Sequence, residues 1–319
     1  MRIKPTPPKT EKKPTLARSS FASLAPAIAF LNEMQFVFGP LDWTPIPDRV
    51  IHRFDVPGDR PSSKNGWYVL FPGEIWGGAF GSWKADISRT WSSRHPASTV
   101  EKYVMDQQFQ ALRRQQAALR HERHSQASIK ARELWKSSSG ASSDHPYLVL
   151  KGCESHILRV KDSVLLVPLF SEGTLMNLQR IYVQHNCPEE NRKLFLKGGK
   201  VEGCYSPIGS LQTDRPVYIC EGWATGATIH EETGSPVACA MNAGNLLAVA
   251  KQLRRRYPSI EIILAGDDDR ESKHNRGRTD ATRAADELKC SVVFPAWPEG
   301  SPLHLTDFND LRQWLRARA

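Results

Sequence analysis

Apolar and polar positions divide the chain into three zones with different periodicities. Residues 21–98 alternate short β-prone runs with Asn-Gly, Pro-Gly and Gly-Gly turns, a pattern typical of β-hairpins. Glycine and proline are absent from 98–137, where Met105, Phe109 and Leu112 follow the spacing of one helix face. We therefore expect a β-rich module followed by a long connecting helix.

The third zone alternates strands and helices. "SVLLVPLF" and "MNLQRIYVQ" predict two strands joined at Ser171-Glu172-Gly173. From residue 216 onward, short apolar runs alternate with amphipathic segments, which predicts a parallel sheet with helices on its faces. Since ligands bind beyond the carboxyl ends of the strands in such sheets, the residues that follow each strand are candidates for a functional site.

We expect an α/β protein with five parts. In chain order these are a disordered basic tail (1–20), a β-rich module (21–98), a long helix with a linker (99–144), a basic mixed α/β subdomain (145–214) and a parallel-sheet domain flanked by helices (215–319). The chain has 43 lysines and arginines against 34 aspartates and glutamates, a net charge of +9. Five of these nine net charges lie in the tail. The charge favours a polyanionic partner such as nucleic acid, although more than half of it belongs to the tail.

The cysteines and the hydropathy exclude other classes of protein. The six cysteines are scattered, and the closest two are sixteen positions apart. Because no CxxC pair exists, we expect reduced thiols and no zinc ribbon. No apolar run reaches the roughly eighteen residues of a membrane span, so we expect a cytoplasmic protein without a membrane partner.

Carboxylates follow two of the predicted strands. Glu221 comes directly after "PVYIC", and Asp267, Asp268 and Asp269 follow "IILAG". Each group alone is compatible with a solvated polar turn. At the same edge of one sheet, however, the carboxylates repel one another unless a cation neutralises them, and hard oxygen ligands suit Mg²⁺ or Mn²⁺. The sequence therefore predicts a metal site at this edge.

Two motifs occur in a characteristic order, "EGWATG" after one strand and, about 45 residues later, "GDDD" after another. In this they resemble the Toprim domain, the catalytic fold shared by DnaG-type primases, type IA and II topoisomerases, small nucleases and recombination proteins. Upstream, "RKLFLKGGKVEGCY" is similar to the basic half of the primase core. "MNAGNL", "NRG" and "DFNDL" are similar to versions in primases of conjugative plasmids and phages. The resemblance covers residues 145–319.

The resemblance implies a catalytic centre formed by Glu221, Asp267 and Asp269. Asp267 and Asp269 would be ligands of Mg²⁺ or Mn²⁺, and Glu221 would be either a further ligand or the group that assists deprotonation of the attacking hydroxyl. Asp268 points the other way if the segment is extended. Asp307 of "DFNDL" would join the metal cluster or would simply cap the last helix.

The basic half supplies the opposite charge, because its lysines surround Gly198-Gly199, where the backbone can approach phosphate closely. The residues expected to bind nucleotide or template phosphates are Arg180, Lys193, Lys197, Lys200 and Asn242. Lysine contacts to phosphate do not depend on sequence, as priming requires. The alternatives are ordinary surface charges and, for Asn242, the cap of a tight turn.

The amino-terminal module lacks the cysteines of the zinc ribbon with which DnaG-type primases usually begin. Its aromatic, glycine-rich hairpins resemble that ribbon without its ligands, so no zinc is expected. Trp67, Trp76 and Trp83 would either stack on bases of single-stranded DNA or pack in the core of the module.

The sequence as a whole predicts a Toprim DNA primase in the replication of a plasmid, a phage or another mobile element. Such an enzyme makes short RNA primers on a single-stranded DNA template from ribonucleoside triphosphates. No GxxxxGK[ST] motif is present, so we expect the replicative helicase to be a separate partner. The alternatives are a Toprim nuclease with the same acidic cluster and a non-catalytic DNA-binding accessory of replication.

Overall fold

The computed structural model describes residues 19–85, 87–183, 193–211 and 214–319. Most of the predicted tail, 1–18, therefore lies outside the described residues. The chain forms two compact units, 1–117 and 118–319. The boundaries of the five expected parts stay a prediction.

The first unit contains a helix and an antiparallel sheet. Its elements are α1 (Ser19–Phe38), β1 (His52–Phe54), β2 (Gly66–Phe71), β3 (Gly77–Ser82), β4 (Ile87–Ser92) and the first part of α2 (Thr99–Lys136). The strands pair in the order β1-β2-β3-β4, each antiparallel to the next. The hairpins and the long helix are thus confirmed.

The hairpin pattern does not predict α1. Ala27, Phe30, Met34 and Phe38 are buried at spacings of three and four residues, which places them on one helix face in the core of the first unit. This periodicity begins inside a continuous apolar run that contains Pro26. Such a run does not distinguish a helix from a strand, and α1 therefore could not be predicted from the sequence.

The three tryptophans proposed for base stacking differ in exposure. Trp67 is only 3% exposed and packs in a small core, as the core-packing alternative predicts. Trp76 packs, partly buried, against the core around Phe30. Trp83 is 36% exposed, and its ring centre lies 5.7 Å from that of Trp67. Because stacking on a base needs an open ring face, the stacking role stays a prediction for Trp76 and Trp83.

The second unit contains the end of α2 and two five-stranded sheets. The elements around the first sheet are β5 (Ser139–Gly140), α3 (Pro146–Lys151), β6 (Arg159–Lys161), β7 (Val164–Ser171), β8 (Thr174–Ile181) and β9 (Lys193–Phe195). These strands, here called the basic sheet, pair antiparallel in chain order from β5 to β9. Strand β5 lies in the segment that the sequence predicts as a linker.

The second sheet of this unit, here called the parallel sheet, follows the predicted alternation. Its elements are β10 (Ser206–Ile208), β11 (Val217–Cys220), α4 (Trp223–Thr233), β12 (Val237–Cys239), α5 (Leu246–Arg256), β13 (Ile262–Ala265), α6 (Arg276–Leu288), β14 (Ser291–Val293) and α7 (Phe308–Arg316). The strand order is β10-β12-β11-β13-β14. Strands β11 to β14 are parallel, and β10 is antiparallel at the edge. The predicted α/β fold is therefore confirmed.

The basic sheet has two faces with different neighbours. Leu165, Ile181 and Lys193 are paired across β7, β8 and β9, so they share one face, and its apolar residues belong to the core that includes α4. Leu166 and Arg180 are paired on the opposite face, where Leu166 packs against α2. Lys193 and Arg180 therefore point to opposite sides of the sheet.

Five of the six cysteines lie in the described residues. Cys153, Cys204, Cys220, Cys239 and Cys290 are free thiols, and Cys187 lies outside the described residues. Among the helices of the described part of the chain, none combines the length and the apolar character that a membrane span needs.

A buried ion pair holds α7 to α4. Arg312 of α7 is 6% exposed, and its guanidinium donates to Glu231 at 2.5 Å and to the carbonyl of Gly152 at 2.8 Å. Glu231 also accepts from the Glu154 amide and from His156, both at 2.9 Å. Burial acts to raise the pKa of Glu231, but these hydrogen bonds outweigh it and lower the pKa below the ordinary value.

A fully buried asparagine completes this network one turn earlier. Asn309 donates to the Lys151 carbonyl at 2.7 Å and to the Thr228 hydroxyl at 2.9 Å. Together with the ion pair, these bonds fix where α7 begins, and Asp307 is its N-cap. A polar network far inside the domain thus positions a candidate site residue.

We expect Glu231→Gln to lower the free energy of unfolding by roughly 1–3 kcal/mol at neutral pH, because it leaves the buried Arg312 without its charged partner. Since the folded state lowers the pKa of Glu231, its stabilising contribution is present above the ordinary glutamate value of 4.5. That contribution disappears as the pH falls through the lower folded pKa. Urea unfolding of both proteins between pH 3 and 8 measures this difference.

The matched control is Glu232→Gln, since Glu232 is 54% exposed, pairs with the exposed Arg316 at 3.2 Å and lies at the longer distance of 3.8 Å from Arg312. Exposed pairs contribute about 0–1 kcal/mol, so this variant should unfold nearly as the wild type does. A Glu231→Gln difference that stays constant down to pH 3 would contradict the ion-pair account.

Candidate active site

The carboxylates predicted at the strand ends lie at one edge of the parallel sheet. Glu221 directly follows β11, and Asp267 and Asp269 follow the neighbouring strand β13. Asp307 stands at the start of α7. Repulsion from the other three carboxylates acts on Asp267, so the structure brings all four predicted acidic residues together.

Asp267 is the most perturbed of the four. Burial raises its pKa to about 9, with contributions from the negative charges of Asp307, Glu221 and Asp269. Among the described residues its Oδ1 atom, which is buried, has no hydrogen-bond partner. Helix α6 leaves little room, because a Cβ at Gly277 would lie 2.7 Å from the Asp267 carbonyl oxygen. A half-buried carboxyl whose enclosed oxygen lacks a donor favours neutralisation by a proton or a cation.

Glu221 and Asp307 are perturbed in the same direction. Burial raises the pKa of Glu221, and Asp269 raises it further against a backbone hydrogen bond from Ala243. Burial also raises the pKa of Asp307, and the neighbouring Asp310 adds to the effect. The whole edge therefore holds more negative charge than its surroundings compensate.

Asp307 takes the capping role that the sequence left open, and its metal-binding role stays a prediction. Its Oδ1 accepts from the Asp310 amide at 2.8 Å, so it does cap α7. Its Oδ2 accepts from the Thr225 hydroxyl at 3.0 Å, and the carboxylate still acts on Asp267. Sequence reasoning missed Thr225, because a threonine inside the helix of "EGWATG" gives no indication of a partner 82 residues away.

Asp268 points away from the other carboxylates, as the alternation of an extended segment predicts. It is 5% exposed and accepts from Asn275 at 2.7 Å and from Arg278 at 2.9 Å. The hydrogen bond from Arg278 lowers the pKa of Asp268. Asn275 also accepts from the Asp269 amide at 3.0 Å. Sequence reasoning missed Asn275 and Arg278. Their side chains thus hold the segment 268–269 from the side that faces away from the other carboxylates.

Lys193 is the predicted basic residue that faces the carboxylates. Lys193 is exposed at the surface. Desolvation by the surrounding protein lowers its pKa, and the positive charge of Lys151 lowers it further, while the negative charge of Asp307 acts to raise it. Lys193 Nζ lies 5.9 Å from the ring centre of Tyr147. Lys151 Nζ lies 3.8 Å from the Asp310 carboxylate. Sequence reasoning missed Lys151, because this residue ends a six-residue helix that carries no recognisable motif.

The other predicted basic residues lie elsewhere. Arg180 is on the α2 side of the basic sheet, so the structure does not group it with Lys193. Lys197 and Lys200 flank the loop after β9, here called the glycine loop (197–200). Gly199 packs directly against Asn177, which donates to the Lys200 carbonyl at 3.2 Å.

Asn242 does not cap the turn that follows it, since its side chain makes no capping hydrogen bond. The structural role in "MNAGNL" belongs to Asn245, which is 4% exposed. Asn245 accepts from the Gly203 amide at 2.7 Å and donates to the carbonyls of Val201, Cys204 and Ala240 at 2.8–3.0 Å. Asn245 thereby ties the segment after the glycine loop to the edge of the parallel sheet.

The carboxylate edge fits a divalent cation that completes its coordination with other ligands. Among the described residues, no three histidine, cysteine, aspartate or glutamate side chains converge closely enough to hold a metal ion by themselves. Mg²⁺ usually keeps several waters and takes one or two carboxylates together with substrate phosphates. The unpartnered Oδ1 of Asp267 is the oxygen that such an ion would satisfy, with Asp269 and Glu221 beside it.

We expect Asp267→Asn to separate cation binding from folding. In the presence of a chelator the variant should unfold at the temperature of the wild type or above it. The reason is that the wild-type carboxyl, with a pKa of about 9, is already protonated at pH 7. Mg²⁺ or Mn²⁺ at ten times its Kd should stabilise the wild type by ~1.4 kcal/mol and the variant by much less. Thermal unfolding with and without the ion measures both effects.

Asp268→Asn is the matched control, because it neutralises the adjacent carboxylate that faces Asn275 and Arg278. It should lower the unfolding temperature in chelator and keep the stabilisation by the cation. Equal stabilisation of wild type and Asp267→Asn by the cation would contradict the assignment of Asp267.

Comparison with known proteins agrees with this geometry. Residues 216–315 match the family model described as the Toprim domain. The chain is 29% identical over 282 residues to a DNA primase TraC of Escherichia coli, which covers 85% of this chain and 26% of that primase. It is 30% identical over 270 residues to a second Escherichia coli DNA primase TraC, covering 79% of this chain and 18% of the relative. The chain thus spans about a quarter or less of the length of these relatives.

Solved structures of primases are also similar to parts of the chain. A DNA primase domain from Pseudomonas aeruginosa has a TM-score of 0.32 at 16% identity, covering 49% of this chain and 50% of that chain. The DnaG catalytic core has a TM-score of 0.33 at 15% identity, covering 49% and 51%. The match of residues 216–315 to the Toprim model and the similarity to the two TraC primases confirm the resemblance to Toprim DNA primases found in the sequence.

Proposed function

We propose that this chain is a DNA primase that makes short RNA primers on single-stranded DNA, in the replication of a plasmid, a phage or another mobile element. The observation that carries the proposal is the group of half-buried carboxylates around Asp267, which repel one another, with Lys193 facing them. The similarity to two TraC primases over most of the chain supports the same activity. Ribonucleoside triphosphates, the template strand and a separate replicative helicase are its proposed partners.

In this reaction the 3′-hydroxyl of one nucleotide attacks the α-phosphate of the next. A bond forms between the hydroxyl oxygen and that phosphorus, and pyrophosphate leaves. A divalent cation held by Asp267 and Asp269 would neutralise the charge that accumulates on the phosphate oxygens and activate the attacking oxygen.

Glu221 is the proposed acceptor of the proton that the attacking hydroxyl loses. Its pKa is raised by burial and by Asp269, and a carboxylate with a raised pKa accepts a proton more readily at neutral pH. The backbone hydrogen bond from Ala243 orients it. Asp307 is held by Thr225 and maintains the negative field that draws the cation to this edge.

Lys193 is the proposed contact to the triphosphate of the incoming nucleotide. It faces the carboxylates from the basic sheet, and its β9 position pairs with Ile181 on the same face. A lysine here would hold the β- and γ-phosphates while the α-phosphate lies at the carboxylate edge. Lys151 adds positive charge from the end of α3.

We expect Asp269→Ala to reduce primer synthesis by roughly 100-fold or more, because it removes a group that acts on the charge of the transition state. Binding of single-stranded DNA without nucleotides should remain within a factor of two. The assay uses the full chain, a single-stranded DNA template, labelled ribonucleotides and Mg²⁺ or Mn²⁺. Asp286→Ala, at an exposed position of α6, is the control and should keep full activity.

The same assay separates the alternatives. Labelled primers from the wild type support the primase. Metal-dependent cleavage of the template without primers would identify a nuclease. Binding without either product would identify a non-catalytic accessory of replication. Full primer synthesis by Asp269→Ala would overturn the assignment of this edge.

We expect Lys193→Ala to raise the KM for ribonucleotides about tenfold, the effect of losing ~1.4 kcal/mol of phosphate binding. The affinity for template in the absence of nucleotides should not change. Steady-state primer synthesis at several nucleotide concentrations measures this. Lys251→Ala, which removes an exposed lysine of α5, is the matched control. An unchanged KM would show Lys193 to be an ordinary surface charge.

A further inference from the structure

The segment "NRG" at the start of α6 contains one residue to which the fold gives no task. Asn275 accepts a hydrogen bond from the Asp269 amide at 3.0 Å, and Gly277 lets α6 lie against Asp267. Arg276, between them, supports no packing, since its side chain is 78% exposed. An arginine that stands beside a group of carboxylates without a structural task is a candidate for binding a ligand.

Arg276 lies on the side of the edge where Glu221 stands. The Glu221 carboxylate accepts a hydrogen bond from the Ala243 amide, and Gly244 is the next residue. A Cβ on Gly244 would lie 3.6 Å from Arg276 Nη2 and 3.5 Å from the side-chain oxygen of Asn242. Burial raises the pKa of Glu221, and the positive charge of Arg276 acts against this. The guanidinium, this turn and the carboxylate therefore meet at one place.

The guanidinium of Arg276 is held by its inner nitrogen. Its Nε atom lies 3.3 Å from Asp280, whose side chain is only 12% exposed and also pairs with Arg283 at 2.9 Å. Within the described part of the chain, the Arg276 side chain makes no hydrogen bond other than this one. Both Nη groups are therefore available, and a guanidinium presents them as a fork that suits a phosphate.

Gly244 leaves an open gap between Asn242 and Arg276. Its backbone is not left-handed, so the conformation does not require glycine. A Cβ there would meet nothing closer than 3.5 Å, so the packing of the protein does not require glycine either. Gly244 is exposed. A glycine that neither conformation nor packing explains suits a backbone that a ligand approaches closely.

Arg276 and Lys193 reach the carboxylates from opposite faces of the parallel sheet. Ile219 of β11 packs in the core formed with α5 and α6. The next residue, Cys220, belongs to the core that includes α4 and the basic sheet. Because adjacent residues of a strand point to opposite faces, α6 and the basic sheet cover different sides. The edge therefore has one cation on each flank.

We propose that Arg276 binds the 5′-phosphates of the initiating nucleotide, the one that supplies the attacking 3′-hydroxyl, and that these phosphates pass over Gly244. The ligand class is a nucleoside 5′-triphosphate. The inference rests on the proposed function, in which Glu221 accepts the proton of that hydroxyl and Lys193 holds the triphosphate of the incoming nucleotide. Arg276 is thus assigned to the first bond of the primer.

The chemistry of the first bond requires two triphosphates at one edge. The 3′-oxygen of the initiating nucleotide bonds to the α-phosphorus of the incoming one, the bond from that phosphorus to pyrophosphate breaks, and the proton passes to Glu221. The initiating nucleotide keeps all its phosphates. Its hydroxyl must lie within hydrogen-bond reach of Glu221, so its own 5′-phosphates extend beyond the ribose, away from those that Lys193 holds. Separate cations, Arg276 and Lys193, keep the two repelling triphosphates apart.

The test removes these phosphates from the substrate, since they take no part in the reaction. The full chain joins one initiating nucleotide to a labelled 3′-deoxynucleoside triphosphate, which has no attacking hydroxyl and serves only as the incoming partner. The initiator is either a nucleoside triphosphate or the same nucleoside without phosphates. We expect the wild type to show a KM about tenfold lower for the triphosphate, the effect of ~1.4 kcal/mol of phosphate binding. Arg276→Gln should bring the two KM values together and leave the KM of the labelled nucleotide unchanged.

Three further variants separate phosphate binding from structure. Arg283→Gln is the matched control, because Arg283 is also exposed and pairs with the same Asp280, and it should keep the preference for the triphosphate. Gly244→Ala should unfold at the wild-type temperature, since its Cβ meets no close atom, yet it should raise the KM of the triphosphate initiator alone. Lys193→Ala should keep the preference and raise the KM of the labelled nucleotide.

Failure of this inference is distinguishable from failure of the proposed function. If the wild type joins no nucleotides on any single-stranded template, the primase assignment fails and the inference fails with it. If the wild type joins them without preferring the triphosphate initiator, or if Arg276→Gln keeps that preference, the inference alone is wrong. Equal preference in Gly244→Ala and the wild type would also overturn it.

Discussion

The constraint on which this domain depends is the enclosure of the Oδ1 atom of the half-buried Asp267, which has no hydrogen-bond partner among the described residues. Some of its neighbours have donors: Thr225 donates to Asp307, and Asn275 and Arg278 donate to Asp268. Asp267 has none and shows the strongest perturbation of the edge, since burial raises its pKa to about 9. A fold that supplies donors to some of the surrounding carboxylates and leaves one oxygen open directs any divalent cation to that oxygen.

Packing around this edge keeps the carboxylates in place. Gly277 allows the first turn of α6 to lie against Asp267, and the Asn309 and Arg312 network fixes the start of α7 from the other side of the domain. Asn245 connects the edge to the segment that follows the glycine loop. These residues touch no substrate in the proposed reaction. They are positioning residues that convert a flexible group of loops into a defined site.

Sequence reasoning recovered the elements with a clear period and missed the partners that only folding creates. The alternation after residue 216 located β11 and β13, and therefore the edge where Glu221 and Asp267 meet. Helix α1 was missed because a continuous apolar run has no decisive period. Thr225, Asn245 and Lys151 were missed because their contacts join residues 42 to 159 positions apart, and a local pattern carries no record of such pairs. Of the two roles predicted for Asp307, the structure shows the N-cap of α7, and the metal ligand stays a prediction.

The register of the basic sheet decides on which of its two faces each basic side chain lies. Adjacent residues of a strand point to opposite faces, so the pairing of Ile181 with Lys193 and of Arg180 with Leu194 assigns each basic side chain to one side. A slip of one residue would turn Lys193 toward α2 and away from the carboxylates. Beyond β9 the Leu196 amide donates to the Leu178 carbonyl at 3.1 Å, which continues this register of β8 with β9. Phe170 also exchanges two backbone hydrogen bonds with Tyr205, at 2.8 and 3.0 Å, which joins the basic sheet to the segment that leads into β10. The register that aims Lys193 is therefore anchored to the same sheet whose edge carries the carboxylates that it faces.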